Sequence, residues 1–301
     1  GIVDRSAKPG VDLEFLFAQV SVDRPTVDTT PNCGNMLAAV VPFALEEGLI
    51  DAAGDTTTVR VLTLNTDMVA EITVRTPGRR ISYEGDCHID GVPGSHAPIA
   101  INFLDIAGSV CASLLPTGHV ADTINGVAVT CIDNGMPVVL LTAAALGKTG
   151  YETRDELNAD TELKRALEAL RLEAGRMMGL GDVAEKVVPK MTLVAAPRAG
   201  GSICTRTFIP HVCHASIGVL GAVSVATACV LPGSVAAPLT ARAATAGGRI
   251  SVEHPSGELT VDLDVSVGPG GPEVKRAALL RTARKLFDGH VYVPASVWAG
   301  P

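Results

Sequence analysis

The sequence predicts an α+β fold made of two similar halves, in each of which strands wrap one buried helix. Short segments of alternating or β-branched apolar residues, separated by Gly, Pro, Asn and Asp, recur along the chain and indicate strands. Two longer runs, residues 36–50 and 217–231, are apolar on nearly every face, so we expect buried helices there. One run lies in each half, and this doubling predicts two pseudo-symmetric domains whose helix starts face one cleft.

Length and composition describe a globular chain with a large core. Of its 301 residues, 47% are hydrophobic and 19% are charged, which suits two domains and excludes a disordered chain. The formal net charge of -8 argues against nucleic acid or an anionic membrane surface as a partner. The net charge does not exclude an anionic small molecule as the substrate, because such a molecule needs only a local positive site.

The cysteines and the chain start bear on where the protein works. Seven cysteines at irregular spacings do not make a disulfide framework, so we expect a reducing compartment, the cytoplasm. Because the first residues lack the pattern of a signal peptide, we expect none. Residues 1–3 have the composition of the middle of a strand, so we expect further residues upstream of them.

The first domain is predicted over residues 1–122, with the first apolar run as its central helix. Pro42 has no N–H to donate, so we expect a kink or a late helix start, and Gly48 is a natural helix end. Residues 289–301 are expected to complete this domain. Its strands are predicted at residues 11–22, 57–64, 68–76, 79–83, 98–103 and 290–293.

The second domain is predicted over residues 123–288. Residues 160–178 show the clearest amphipathic pattern and predict an outer helix packed on a sheet. The second apolar run is rich in Gly, Ser and Thr and stops at Pro232-Gly233, which favours a buried helix over a membrane span. Strands are predicted at residues 126–132, 138–142, 191–196, 202–209, 249–252 and 258–265, and a short helix at 274–287.

The strongest candidate for chemistry is the motif Asn32-Cys33-Gly34-Asn35, directly before the first buried helix. Backbone N–H groups and the dipole at a helix start stabilise a thiolate and attract a carboxylate. In this interpretation Cys33 transfers a proton, and Asn32, Gly34 and Asn35 bind the substrate. A buried cysteine in a tight turn is the competing interpretation, because free cysteine is among the most buried residue types.

His214 and Ser216 precede the second apolar run and are candidate substrate-binding residues for the same reason. Two positive helix ends facing one space suit a substrate with several carboxylates. The same segment raises the question of zinc, because it holds His211, Cys213 and His214. Three ligands in four residues rarely converge on one ion, and no second ligand pair stands at a usual spacing, so we expect no metal site.

Weaker candidates for substrate binding lie at two chain reversals. Asn134 and Gly135 stand at a strand break, and Ser256 and Gly257 stand in a short loop between two strands. Both segments are equally typical of an ordinary turn or hairpin. Lys190, between a proline and a strand, is interpreted as a surface lysine whose stem snorkels or whose charge is paired.

A family resemblance is carried by motifs along the whole chain. They are the cysteine motif with residues 42–49, and the segments Asp90-Gly-Val-Pro-Gly94, Leu115-Pro-Thr-Gly118, Ile132-Asp-Asn-Gly-Met-Pro-Val138, Pro189-Lys-Met-Thr-Leu-Val194, His254-Pro-Ser-Gly257 and Arg281-Thr-Ala-Arg-Lys-Leu286. Together they resemble the PrpF family of allylic isomerases. The resemblance implies the diaminopimelate-epimerase-like fold, in which two domains each wrap a curved, mostly antiparallel, barrel-like sheet around a central buried helix, with the active site between them.

The resemblance also implies an activity. Residues 15–19, 195–201 and 214–222 look most like family members that tautomerise 4-oxalomesaconate in aromatic-compound catabolism. This implies a cofactor-independent 1,3-proton shift in an unsaturated polycarboxylate, with Cys33 as one acid or base, and a homodimer. Isomerisation of 2-methylaconitate or aconitate is one alternative, and a non-catalytic carboxylate-binding protein of the same fold is another.

Two departures from the family pattern affect the predicted chemistry. The family's Arg-Gly-Gly-Thr-Ser-Lys segment and its later Thr-Ser-Lys strand are not in this chain, so the first domain is expected to lack those N-terminal strands. The second of these lysines is thought to be the partner of the motif cysteine, which leaves the partner of Cys33 open. Diaminopimelate epimerases have Cys-Gly at both helix starts, whereas this chain has His214-Ala-Ser216 at the second, which weakens an epimerase interpretation.

Overall fold

The structure is a computed structural model that describes residues 1–21, 25–29, 33–90, 92–241, 248–268 and 271–298. It confirms the α+β fold class. The strands are β1 Ile2–Arg5, β2 Leu13–Leu16, β3 Gln19–Val20, β4 Val27–Asp28, β5 Thr56–Thr63, β6 Met68–Arg75, β7 Ile99–Phe103, β8 Asp122–Ile124, β9 Val127–Asp133, β10 Pro137–Thr142, β11 Lys190–Ala195, β12 Ile203–Phe208, β13 Arg249–His254, β14 Gly257–Gly268 and β15 Gly271–Arg281. The helices are α1 Gly34–Leu37, α2 Val40–Glu46, α3 Arg154–Ala159, α4 Thr161–Met177 and α5 Val219–Val230.

Within the described ranges, thirteen strands form one continuous curved sheet in the order β1-β2-β5-β6-β7-β15-β14-β13-β12-β11-β10-β9-β8. The pairs β2–β5, β10–β11 and β12–β13 are parallel, and the remaining neighbours in this sheet are antiparallel. β3 and β4 make a separate antiparallel pair. The expected mostly antiparallel sheet is therefore confirmed.

Strand β15 joins the sheet of the first half to that of the second. Leu279 lies opposite Ile101 of β7 on one side and opposite Val261 of β14 on the other. The predicted helix over residues 274–287 is therefore wrong. The segment is rich in Ala, Leu, Lys and Arg, which favour helices locally, but pairing with two neighbouring strands outweighs this weak local preference.

Two predicted strands of the first half are also wrong. Residues 79–83 begin in a short 3-10 turn, Pro77–Arg79, and form no strand. Residues 290–293 form no strand and are largely exposed. Their β-branched and aromatic residues favour a strand, but they have no neighbouring strand to pair with in the described part of the chain. The domain limits, including the role of residues 289–301, stay a prediction.

The first apolar run forms two short helices, α1 and α2, instead of one long helix. The break at residues 38–39 places Pro42 in the first turn of α2, where its missing N–H breaks no helical hydrogen bond, as the expected late helix start required. Val41 and Ala44 are fully buried, but Met36 and Phe43 are 41% and 46% exposed. The expectation of burial on every face is therefore wrong, because the sheet covers only one side of these helices.

The second apolar run forms α5, which is buried as predicted, and residues 221–229 are all inaccessible or nearly so. It packs on the face of the sheet that carries Val138 and Val194, while α4 covers the opposite face, which carries Val139 and Leu193. The amphipathic prediction for α4 is confirmed. Among the described residues, we find no helix with both the length and the apolar character needed to cross a membrane.

Candidate active site

One cavity of about 820 Å³, here called the thiol cavity, lies where five parts of the chain meet. These are the start of α1, the loop residues Ile89, Asp90 and Val92, the approach to α5, the turn between β13 and β14, and the end of β15. Its walls include the predicted site residues Cys33, Gly34, Asn35, Ser216 and Ser256. The fold thus brings candidates from both halves of the chain into one space. Asn32 lies outside the described residues.

Cys33 is the residue directly before α1, and its backbone is extended, with φ -128° and ψ 103°. Its carbonyl oxygen accepts the first helical hydrogen bond, from the Leu37 N–H at 3.0 Å. Its side chain is half-buried at the cavity wall. Because α1 is a single turn of four residues, few peptide dipoles add up at its start. The positive charge expected there has to come from another group.

Arg281 supplies such a charge. It is the last residue of β15 and lines the thiol cavity. Its Nε donates to Asn35 Oδ1 at 3.1 Å, and its Nη1 donates to the carbonyl oxygen of Leu280 at 2.8 Å. Burial lowers the pKa of the guanidinium from its ordinary value. Among the described residues no carboxylate forms an ion pair with it, so the cavity contains a cation suited to bind an anion.

His214 and Ser216 stand together at the approach to α5. The Ser216 N–H donates to His214 Nδ1 at 3.0 Å, and its hydroxyl lies 3.4 Å from the same nitrogen. Ser216 lines the thiol cavity, whereas His214 is not one of its lining residues and contacts it through Ser216. The nearby zinc candidates diverge: His211 Nδ1 lies 3.5 Å from Glu168 Oε2, and Cys213 is buried. Over the described ranges, no group of three or more potential metal-ligating side chains occurs.

The turn between β13 and β14 forms another wall. The Ser256 hydroxyl donates to the Ala215 carbonyl oxygen, which ties this turn to the approach to α5. Gly257 lies outside the thiol cavity and serves a geometric need, because it has φ 140° and a side chain there would run into the Asp90 carboxylate. The same carboxylate accepts the Glu258 N–H at 2.8 Å. Hydrogen bonds to Ala215 on one side and to Asp90 on the other thus fix the position of this turn.

Asn134 and Gly135 lie away from the thiol cavity, beneath α5. The Asn134 N–H donates to Ser224 Oγ at 3.1 Å, and its Nδ2 donates to Thr227 Oγ1 at 2.9 Å. Gly135 has φ 85°, and a side chain there would meet Ile106. Both residues are buried, so their placement favours a role in holding α5, and their predicted contact with substrate has no support from this geometry.

Two lining residues, Arg281 and His254, were missed by the sequence interpretation of the site. His254 lines the thiol cavity, and its Nδ1 accepts the Ser256 N–H at 3.3 Å. Burial lowers its pKa, which favours a neutral ring. The available signals were an arginine directly after the apolar run 277–280, and a histidine at a strand end. Neither signal shows which distant residues lie next to that arginine or that histidine in the folded chain.

Comparisons with known proteins agree along nearly the whole chain. A model of the PrpF protein family matches residues 1–294. The (4E)-oxalomesaconate Delta-isomerase of Novosphingobium sp. strain KA1 is 56% identical over 97% of this chain and 81% of its own length. The 4-oxalomesaconate tautomerase of Pseudomonas putida is 53% identical over 100% of this chain and 82% of its own length. A crystal structure of methylitaconate-delta-isomerase superposes with a TM-score of 0.85 at 28% identity, covering 98% of this chain and 81% of that one.

Proposed function

Because this chain belongs to the PrpF family, it is an isomerase, and we propose that it catalyses a 1,3-proton shift in 4-oxalomesaconate. The names of its relatives at 56% and 53% identity support this substrate. The single observation that carries the proposal is in the thiol cavity. The half-buried Cys33 and Arg281 both line this cavity, and Arg281 donates a hydrogen bond to Asn35 of the cysteine motif.

The first step in this proposal is binding. The Arg281 guanidinium uses its Nε and one Nη for protein contacts, which leaves its other N–H groups for a substrate carboxylate. Because its Nε bond goes to Asn35, the carboxylate is held close to the start of α1, beside Cys33. Holding the substrate in one orientation against an acid–base group removes much of the entropic barrier to proton transfer.

Proton transfer follows. A base removes a proton from a carbon next to a carbonyl or carboxylate, and the electron pair delocalises over a dienolate. An acid then delivers one proton to the atom two positions away, so protons and electrons balance and no co-reactant is needed. Cys33 takes one of these two roles. The Gly34 and Asn35 N–H groups, in the first turn of α1, lack helical partners and stabilise the developing negative charge.

Replacement of the thiol tests the proposal. Cys33→Ser should lower kcat for 4-oxalomesaconate by about 10²–10⁴-fold, the usual contribution of a positioned acid or base. Turnover is followed by the ultraviolet change of the substrate. Cys87→Ser is the matched control, because Cys87 is also half-buried but does not line the thiol cavity, and its activity should equal that of the wild type.

The same assay is run with 2-methylaconitate and aconitate to settle the substrate. Preference for either over 4-oxalomesaconate would replace the proposed substrate while leaving the proton shift intact. Full turnover by Cys33→Ser would reject the proposed role of the thiol. Folded wild-type protein that converts none of the three compounds would reject the proposal as a whole.

We also propose that the protein works in the cytoplasm as a homodimer. Support for the compartment is that no disulfide joins any of its seven cysteines, all of which lie within the described residues. Support for the dimer comes from the family resemblance. Light scattering coupled to size-exclusion chromatography would measure the mass directly, and a monomeric mass would reject the dimer.

A further inference from the structure

Lys190 does not lie where its sequence context suggests. It is the first residue of β11 and pairs with Val138 of β10, and β11 continues with Thr192 and Val194 on the same face. Val138 and Val194 belong to the core that packs around α5. The Lys190 side chain therefore extends along the α5 face of the sheet and is half-buried. The interpretation as a snorkelling or paired surface lysine does not describe this position.

The side chain borders a second, smaller cavity of about 260 Å³, here called the lysine pocket. Its other walls are mostly apolar, among them Met68, Phe103, Met136 and Leu220. The lysine pocket and the thiol cavity share Gly34, Ile217, Gly218 and Val219 as walls. The two spaces thus adjoin each other at the starts of α1 and α5.

Lys190 is the only charged group among the described residues that line the lysine pocket. In the described part of the chain, its ammonium has no hydrogen bond and no ion pair, and burial lowers its pKa. The two threonines of the pocket are bonded elsewhere, Thr66 to Thr63 and Thr207 to Thr192. A charge kept among apolar walls without a partner destabilises the folded chain, and it therefore calls for a ligand.

We propose that the lysine pocket is a second carboxylate subsite, in which Lys190 binds a carboxylate that the substrate carries away from Arg281. This inference rests on the proposed function, because it divides the carboxylates of one substrate between two adjoining spaces. It specifies the ligand class as a short-chain di- or tricarboxylate. Apolar walls accommodate the carbon chain between the carboxylates, and the ammonium supplies the opposite charge. The start of α5 borders both spaces, and Gly218 caps it without a side-chain hydrogen bond, which reinforces the positive potential.

Binding of a saturated probe tests the subsite without turnover. Tricarballylate, which has three carboxylates and no double bond, is titrated into wild-type protein, Lys190→Met, Lys190→Arg and Lys275→Met by calorimetry. We expect Lys190→Met to bind about tenfold or more weakly, the usual effect of losing a charged hydrogen bond. Lys190→Arg should recover most of the affinity. Lys275→Met, which removes an exposed lysine outside both cavities, should bind as the wild type does.

Thermal unfolding of the ligand-free proteins checks that the loss is not a folding defect. Lys190→Met should melt above the wild type, because it removes an unpaired charge from apolar walls. A lower melting temperature, no binding of tricarballylate to the wild type, or unchanged affinity in Lys190→Met would each overturn the subsite. If both Lys190 variants lose kcat yet bind tricarballylate normally, Lys190 transfers a proton instead, and the subsite is again rejected.

The outcomes for the subsite and for the proposed function are separable. Weak binding of tricarballylate by Lys190→Met supports the subsite even if the wild type fails to convert 4-oxalomesaconate. Conversely, rapid turnover that disappears in Cys33→Ser supports the proposed function even if Lys190→Met binds the probe normally.

Discussion

Four cations among the described residues fall into two groups according to their partners. Arg171 is fully buried but is held by Glu168 and backbone carbonyl oxygens, and Lys285 is paired with Glu46 and Asp288. Arg281 and Lys190 have no carboxylate partner among the described residues. A cation that is paired with a carboxylate fixes local structure, whereas a half-buried cation without such a partner has a desolvation cost that a bound anion offsets. This contrast at the residue scale marks the two as ligand-binding groups.

Removal of the Arg281 charge should weaken substrate binding more than it slows chemistry. Arg281→Gln is expected to raise KM by about 10–100-fold, because a carboxylate loses a charged hydrogen bond worth about 1.5–3 kcal/mol. Steady-state kinetics with 4-oxalomesaconate measure this. Arg284→Gln is the control, since Arg284 is exposed and three residues further along the chain. An unchanged KM in Arg281→Gln would show that the guanidinium does not bind the substrate.

At the scale of elements, the two apolar runs form helices of different length and support. The break between α1 and α2 leaves the cysteine motif on a single turn, and the longer α5 is anchored from below. Asn134 binds Ser224 and Thr227, and the Ser224 hydroxyl also donates to the Met136 carbonyl oxygen at 2.7 Å. These contacts anchor the middle of α5, so a residue outside the thiol cavity helps to hold the helix whose start borders both cavities.

Substitution of two helical glycines by alanine tests how closely α4 is packed. A Cβ on Gly175 of α4 would lie 2.6 Å from Val183 Cγ2, whereas one on Gly221 of α5 would meet Ile217 Cγ1 at an ordinary 3.8 Å. Gly175→Ala should therefore destabilise the fold by about 1–3 kcal/mol through overpacking. Gly221→Ala, the matched control, should be neutral or gain up to about 1 kcal/mol from helix propensity.

Urea unfolding of both variants supplies the free energies for this comparison. Equal stabilities of Gly175→Ala and wild type would mean that the segment around Val183 moves away at little cost, and that α4 is not packed as closely as the structure shows.

On the scale of the whole molecule, the sheet is continuous across both halves of the chain. β15 pairs along Ala278–Arg281 with β7, and along Gly271–Leu279 with β14. One contiguous core contains residues of α2 and of α5 together, such as Val41 and Val225. The thiol cavity lies between elements of both halves, so its geometry depends on this joint arrangement.

The shared strand predicts that the halves unfold together. Scanning calorimetry should give one endotherm with a calorimetric enthalpy close to the van't Hoff enthalpy, because separation of the halves requires breaking the β7–β15 ladder. Two resolved endotherms would show that each half is independently stable, and they would support the predicted boundary near residue 122 as a true domain division.

Local patterns determined part of this protein from the sequence alone. The uniformly apolar run of α5, the amphipathic run of α4 and the placement of Cys33 at a helix start follow from the spacing and chemistry of neighbouring residues. These features need no knowledge of distant partners. The strand-rich α+β class followed from them, and the ordered motifs pointed to the family.

Only the tertiary structure decided the remainder. β15 looks helical in sequence and is a strand because β7 and β14 lie on either side of it. Arg281 belongs to the thiol cavity because it reaches Asn35, 246 positions away in the chain, and Lys190 borders the lysine pocket because β11 turns that side chain toward α5. Each outcome depends on contacts between residues far apart in sequence, and local propensities are too weak to determine such contacts.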